Sequence, residues 1–408
     1  MSCNLCGNHD LKLLIGFGSH PIAHRLLVSP DEEEYTHPVN LCFCDSCGLI
    51  QLDDPIPPEE LYTEYNWLSS WKWNPHVPRL IWMIENLLER IDKDSLIVEV
   101  GSNDGSFLEA LREEGFKNLV GIEPAEDAQK ASRARGIDTI GSYFTKETAD
   151  RLVGERGPCD LFISRQTLEH VGDIQTFQTA MQTVLRPGGY ALIEVPNFDL
   201  ALRTPDYSTV WEEHTNYFVP ETLDRFLEMS GIRVFKTESA VFSGEALYSI
   251  GEYIGPPQEP VSFACSDALR SSAMRYAEEW PEFKAAFAEY LKACGKDNKK
   301  VVVYGGGCRS SSLINFAGVG EEIDLIVDDQ LEKQGRFLPG SRIPILAGDA
   351  LPKQDLGVCV LSVNAENEEK VLDRRKDDLE GSGAVVSMHP PSDKLPSFWG
   401  QFGEDGRS

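Results

Sequence analysis

The run VEVGSNDGSFL at positions 98–108 restricts the fold more than any other stretch of this chain. An apolar strand that breaks into a glycine-rich loop and then opens a helix points backbone N–H groups at a nucleotide-like ligand. In such folds a carboxylate about 20 residues further on grips ribose hydroxyls, and Glu123 in GIEP stands at that distance. The outline is an adenosine pocket. The loop GSNDG lacks the GxGxxG spacing of dinucleotide binders and sets Asp104 where a pyrophosphate would meet negative charge. A cationic adenosine ligand, S-adenosylmethionine, suits it better. Gly101 and Gly105 allow close backbone approach, Asn103 and Asp104 can bond the ligand's amino-acid end, and Glu123 takes the ribose, with Glu99 and Pro124 beside them. Ser164 and Gln166 fall at the C-terminal end of the apolar run CDLFIS, where ligands of open α/β sheets collect. The competing reading is a tight turn in an NAD-type or non-binding Rossmann domain.

The chain has 408 residues, enough for two or three domains, and 66 acidic against 38 basic residues give a formal net charge of −28. That charge disfavours nucleic acid and anionic membrane as partners; its plainest meaning is solubility. No apolar run approaches the roughly 18 residues of a membrane helix, and MSCNLCGNHD has no signal-peptide pattern, so the expectation is a cytoplasmic protein. Ten cysteines in such a chain suggest metal binding or buried thiols rather than disulfides.

Two knuckles, Cys3-x-x-Cys6-Gly7 and Cys44-x-x-Cys47-Gly48, match in spacing and in the glycine that follows. Two thiolates at that spacing reach one tetrahedral Zn²⁺, and four leave no open position, so the zinc is expected to be structural. Cys42 lies outside the matched pair and is read as a spare thiol. Beyond the first 60 or so residues, which show little regular periodicity, strands and helices alternate from about Leu80: LIVEV, NLVGIEP, CDLFIS and YALIEV separated by amphipathic stretches. This predicts a parallel, doubly wound sheet. A Pro-rich break, GPPQEP at 255–260, precedes a helix expected over 261–294, and VVVYGGG, IDLIVDD, IPIL, GVCVLS and AVVSM then form a second α/β unit. The expected domains are 1–75, 76–254 and 255–408.

LRPGGYALIE stands where methyltransferases commonly place a turn and strand. The chain resembles the sugar C-methyltransferases that act on nucleotide-linked keto-deoxysugars in antibiotic biosynthesis. The resemblance runs almost end to end, through PIAHRLL at 21–27, the paired knuckles, VEVGSNDGSFLEAL, GIEPA, EEHTNYF at 212–218, YGGGCRSSSLIN at 304–315 and VDDQLEKQGRFLPGSRIPIL at 327–346. It implies an α/β fold: a small zinc-binding domain, a class I Rossmann-like methyltransferase core and a C-terminal Rossmann-like domain that helps bind the acceptor. It also implies a monomer or homodimer whose partner is a small molecule.

Methylating carbon requires loss of a proton α to a carbonyl and stabilisation of the enolate. His214 is the candidate base, with Glu213 beside it to tune it or to orient substrate; the resemblance places this pair in the acceptor pocket. His170 in TLEHV reads as cofactor-side wall or relay first and as a base second. Tyr62, Tyr65 and Trp67 fall where the family brings aromatic residues over the acceptor, or they form an interdomain packing plug. Trp211, Tyr217 and Glu245 complete the acceptor set. Arg309, where the family tends to carry Lys, is expected either to grip phosphate bidentately or to sit at a tight turn in solvent. The chain departs from the family at Trp211-Glu212-Glu213-His214, in place of Tyr-His-Glu-His, and at Phe242-Ser243-Gly244-Glu245, in place of an HGGS-like turn. A hydroxyl and an imidazole are missing from the first, and the second loses a histidine and gains a carboxylate.

Overall fold

The structure, a computed structural model, describes residues 2–9, 11–61, 75–259, 261, 264–351, 355–379 and 383–404. Tyr62, Tyr65 and Trp67 lie outside the described residues.

Three sheets organise the chain. The first joins β1 (Leu11–Pro21), β2 (Thr36–Cys44) and β3 (Ile50–Leu52) in antiparallel order. Its strands were not legible in the sequence because the β1–β2 register slips at Leu13/Ile15 and again at Gly16/Gly18. Each bulge breaks the period-two alternation by which a strand is recognised.

The central sheet contains β4 (Leu96–Val100), β5 (Asn118–Ile122), β6 (Asp138–Ile140), β7 (Cys159–Arg165) and β8 (Leu185–Pro196), all parallel. The chain then makes a two-residue strand, β9 (Asn216–Tyr217), before β10 (Ile232–Val241) and β11 (Glu245–Tyr253). The strand order is β10-β11-β8-β7-β4-β5-β6, with β10 and β11 antiparallel; the expected parallel sheet is therefore mixed at one edge. LIVEV is buried at all five positions because helices cover both faces. One of them, α1 (Ser106–Glu113), leaves the glycine-rich loop directly and buries Phe107, Leu108 and Leu111, each contributing about 1.5–3 kcal/mol of apolar burial.

β9 belongs to the first sheet, not the central one: Ile50 pairs with Tyr217 and Gln51 with Asn216. The N-terminal module thus takes a strand from the middle of the chain, just after His214.

The helix expected over 261–294 forms as α2 (Asp267–Cys294), capped by Ser266, whose Oγ accepts from Leu269 N at 3.2 Å. It buries Tyr276, Trp280, Phe283 and Phe287, with Phe283 edge-on to Trp399 and Phe402. The third sheet follows: β12 (Lys300–Tyr304), then α3 (Cys308–Ala317), β13 (Leu325–Asp328), β14 (Ile345–Ala347), β15 (Leu356–Leu361) and β16 (Ala384–Ser387). It is wholly parallel, in the order β14-β13-β12-β15-β16. Among the described residues no helix is long and apolar enough to cross a membrane.

Candidate active site

In both Rossmann-like sheets the order in which strands are added reverses at one point. In the central sheet this lies between β4 and β7, and in the third between β12 and β15. Ligands settle outside the carboxyl ends of strands at such points. Here the two crevices open into one cavity of about 1180 Å³, lined from one side by the 101–103 loop with Gln166, Thr167, Glu169 and His170, and from the other by Gly307–Ser310, Ser362 and Asn364. Trp211, Glu213, His214, Asn216 and Tyr217 form a third wall, anchored through β9 to the N-terminal sheet.

At the donor end, Glu123 is 4% exposed. Its Oε2 accepts from Asn103 N at 2.9 Å and its Oε1 from Ala125 N at 2.8 Å. Burial raises its pKa despite those two N–H groups, and each oxygen keeps a lone pair for a hydroxyl. Gly101 has φ +69°, and a Cβ there would stand 2.1 Å from Thr167 Oγ1, so the loop can turn against Thr167 only with glycine. Asn103 and Gln166 both hold φ +48°, an uncommon conformation that clusters at ligand sites. Glu99, Gly101, Asn103, Glu123, Pro124 and Gln166 all line the cavity.

Asp104, Gly105 and Ser164 do not. Asp104 turns into the start of α1, where Oδ1 accepts from Ser106 N at 3.1 Å and Oδ2 pairs with Arg135 at 2.8 Å. Gly105 is needed for packing, since its Cβ would meet Ser132 Oγ at 2.5 Å. Ser164 is fully buried within β7.

Beneath the donor end lies a network that sequence reasoning missed. Glu194, fully buried, receives His76 Nε2 at 3.0 Å, Arg165 Nε at 3.1 Å and Gln166 Nε2 at 3.0 Å. Burial alone would raise its pKa, yet Arg165 first, then His76 and Gln166, hold it down to about 2. Glu99, 3.7 Å from the same Arg165, is pushed up to about 8 by burial. Arg165 is thereby committed to Glu194, and the Gln166 side chain is oriented by it.

At the other end, His214 is buried, with Trp211 4.1 Å and His170 4.9 Å away between ring centres. Burial, then His170, holds the pKa of His214 well below the usual imidazole value. The ring is neutral at pH 7 with a lone pair available. Glu213 does not face His214: its Oε1 lies 2.5 Å from His24 Nδ1, and both side chains are almost fully buried. Burial opposes charge on His24, but the Glu213 carboxylate outweighs it and the pKa of His24 is raised. Glu212 accepts from Ala23 N at 2.7 Å and is lifted by burial to about 7. His24 was visible only as part of PIAHRLL, with nothing in the string to pair it with a position 189 residues away.

Tyr217 lines the cavity, but its hydroxyl is spent on the Trp211 backbone, donating to O at 3.1 Å and accepting from N at 3.2 Å. The Trp211 indole N–H is buried with no partner among the described residues. Glu245 lines the cavity and accepts from Asn197 Nδ2.

Arg309 is neither at a solvent turn nor free. It is 7% exposed, with Nη2 2.5 Å from Asp206 Oδ2 and Nε donating to Ser208 Oγ at 3.1 Å. Ser208 continues to His389 Nδ1 at 3.0 Å, and His389 Nε2 to Ser362 Oγ at 2.9 Å. Two of the guanidinium's faces are thus taken and a bidentate grip on phosphate is not available. Nη1, without a partner among the described residues, remains.

The knuckles converge as expected. Cys3, Cys6, Cys44 and Cys47 place their Sγ atoms within 4.8 Å of one another, with Cys3–Cys47 at 3.4 Å and Cys6–Cys44 at 3.6 Å. Thiolates on one tetrahedral zinc at Zn–S of about 2.3 Å stand about 3.8 Å apart, so the set fits a closed structural ion. Cys42 is buried outside it. The module bears on the site because Asn4, between the first two ligands, donates Nδ2 to Asn216 Oδ1 at 2.9 Å.

Three family models match in series: "Putative zinc binding domain" at residues 3–62, "Methyltransferase domain" at 77–237 and "C-methyltransferase C-terminal domain" at 270–390. C-methyltransferase NovU of Streptomyces niveus is 30% identical over 95% of this chain and 95% of its own. A ubiquinone biosynthesis O-methyltransferase of Methylobacterium is 24% identical over 36% of this chain and 63% of its own. A solved SAM-dependent methyltransferase from Archaeoglobus fulgidus, 18% identical, covers 46% of this chain and all of its own with a TM-score of 0.35. With a donor pocket for S-adenosylmethionine, a four-cysteine zinc site and a relative that matches from end to end, the chain belongs to the C-methyltransferase family.

Proposed function

We propose that this S-adenosylmethionine-dependent C-methyltransferase acts on a nucleotide-linked keto-deoxysugar through an enolate. The observation that carries the reading is the single cavity in which the Glu123 loop faces the Trp211–His214 segment. Glu99, Gly101, Asn103, Glu123, Pro124 and Gln166 hold the donor, and the sulfonium supplies the methyl group. The Glu213–His214 pair handles the α proton: a neutral imidazole and a carboxylate both reach the acceptor end. The enolate oxygen is offered the Trp211 indole N–H, which has no partner among the described residues. An N–H at Trp211 takes the place of the family's hydroxyl.

The domain limits 1–75, 76–254 and 255–408 follow from the same reading, with the acceptor between the second and third. Since Asp206 neutralises Arg309, the arginine contributes one hydrogen bond rather than a net charge to an acceptor's phosphate. The test is transfer of a ¹³C-methyl group from S-adenosylmethionine to a nucleoside-diphosphate-linked 4-keto-6-deoxyhexose. A new methyl resonance bonded to carbon is expected; a methyl on oxygen or nitrogen, or none, refutes the reading.

A further inference from the structure

We propose that Glu169, His170 and His214 form a second metal site, which takes a divalent first-row cation and leaves one coordination position open to the acceptor. Each side chain brings a ligand atom within 4.8 Å of the others, and all three line the cavity. Glu169 is 1% exposed, and neither carboxylate oxygen has a hydrogen-bond partner among the described residues. Buried carboxylates are costly unless donors or a cation come to them. His170 Nδ1 lies 2.8 Å from Glu213 O. A carbonyl only accepts, so Nδ1 carries the proton and Nε2 presents its lone pair, 3.9 Å from Glu169 Oε1. A backbone carbonyl on the far nitrogen is how metal-binding imidazoles are oriented. Two imidazoles and a carboxylate with a vacant fourth position are the donor set of catalytic divalent sites, unlike the closed thiolate set at the N-terminus.

The inference rests on the reading of this end of the cavity as the acceptor's, and it divides the labour of the Glu213–His214 pair. A cation held partly by His214 draws electron density from the acceptor carbonyl. The proton then falls to Glu213, backed by His24. The C–H bond breaks, its proton goes to the Glu213 carboxylate, its electron pair forms the carbon–carbon double bond, and the carbonyl π pair moves onto oxygen as the enolate. The enolate carbon next takes the methyl, and the S–CH₃ bonding pair returns to sulfur, leaving a neutral thioether.

The test titrates Co²⁺ alone into zinc-loaded protein, followed by visible absorption and by broadening of imidazole proton resonances. One equivalent beyond the zinc is expected, with weak nitrogen/oxygen-type bands and no thiolate charge-transfer band. Glu169→Gln and His170→Asn should each bind Co²⁺ at least about tenfold more weakly, while stabilisation by S-adenosylhomocysteine shows that they fold. No binding beyond the zinc, or unchanged affinity in both variants, overturns the proposal. With no acceptor present, this result is independent of whether a keto-sugar is methylated.

Discussion

His24 Nδ1 and Glu213 Oε1 stand 2.5 Å apart, so an imidazole from the N-terminal module closes on a carboxylate of the cavity wall. The residues on either side of His24 are tied down as well: Ala23 N donates to Glu212, and Leu27 exchanges both backbone hydrogen bonds with Phe337 of the C-terminal unit.

His24→Gln keeps a hydrogen-bond donor but cannot carry the charge. Methyl transfer should fall roughly tenfold, as for loss of a charge-assisted hydrogen bond of about 1.5 kcal/mol. Affinity for S-adenosylhomocysteine, bound at the opposite end, should stay within about twofold. Steady-state kinetics beside calorimetric titration checks this; equal losses in both would mean that His24 serves only the fold.

Arg309→Met leaves Asp206 buried and unpaired, which should cost about 3–5 kcal/mol of stability. Adding Asp206→Asn should return most of that stability and leave acceptor KM raised, because Nη1 is still absent. Denaturant unfolding and KM together separate the two effects. If the double variant restores KM as well, Arg309 does not touch the acceptor.

Glu123→Ala removes the carboxylate and frees two loop N–H groups. Ligand at 100 times its dissociation constant stabilises a native protein by about 2.7 kcal/mol. S-adenosylhomocysteine at that concentration should raise the wild-type Tm by several degrees and that of the variant by far less. Thermal unfolding with and without ligand reads this directly.

Cys3→Ser/Cys6→Ser should lose the zinc by elemental analysis and also lose methyl transfer, because Asn4 lies between those ligands and holds Asn216 beside the site. Activity that survives zinc loss would uncouple the module from the acceptor wall.

What was legible in the chain followed short-range pattern. GSNDG with Glu123, the doubled knuckles and the apolar strands all announce themselves within a few residues of sequence, and six of the nine residues expected to hold the cofactor line the cavity. The exceptions are instructive: Asp104 and Gly105 have the right types in the right loop, yet one is drawn away by Arg135 and the other faces Ser132. The opposite side of the cavity is built from pairings across the chain, such as His24 with Glu213 and Asp206 with Arg309. No spacing rule foretells those. Glu169 was hidden for a simpler reason, since beside His170 it reads as a solvated helix-end acid until its burial is known.

The most direct measurement follows the α hydrogen. A nucleoside-diphosphate-linked 4-keto-6-deoxyhexose deuterated α to the carbonyl is turned over with S-adenosylmethionine, and the product is examined by mass and NMR. Loss of one deuterium for each methyl gained at that carbon is predicted, with turnover falling by orders of magnitude in His214→Asn. A methylated product that keeps its α deuterium would contradict the enolate mechanism and the assignment of the Trp211–His214 wall to the acceptor carbon.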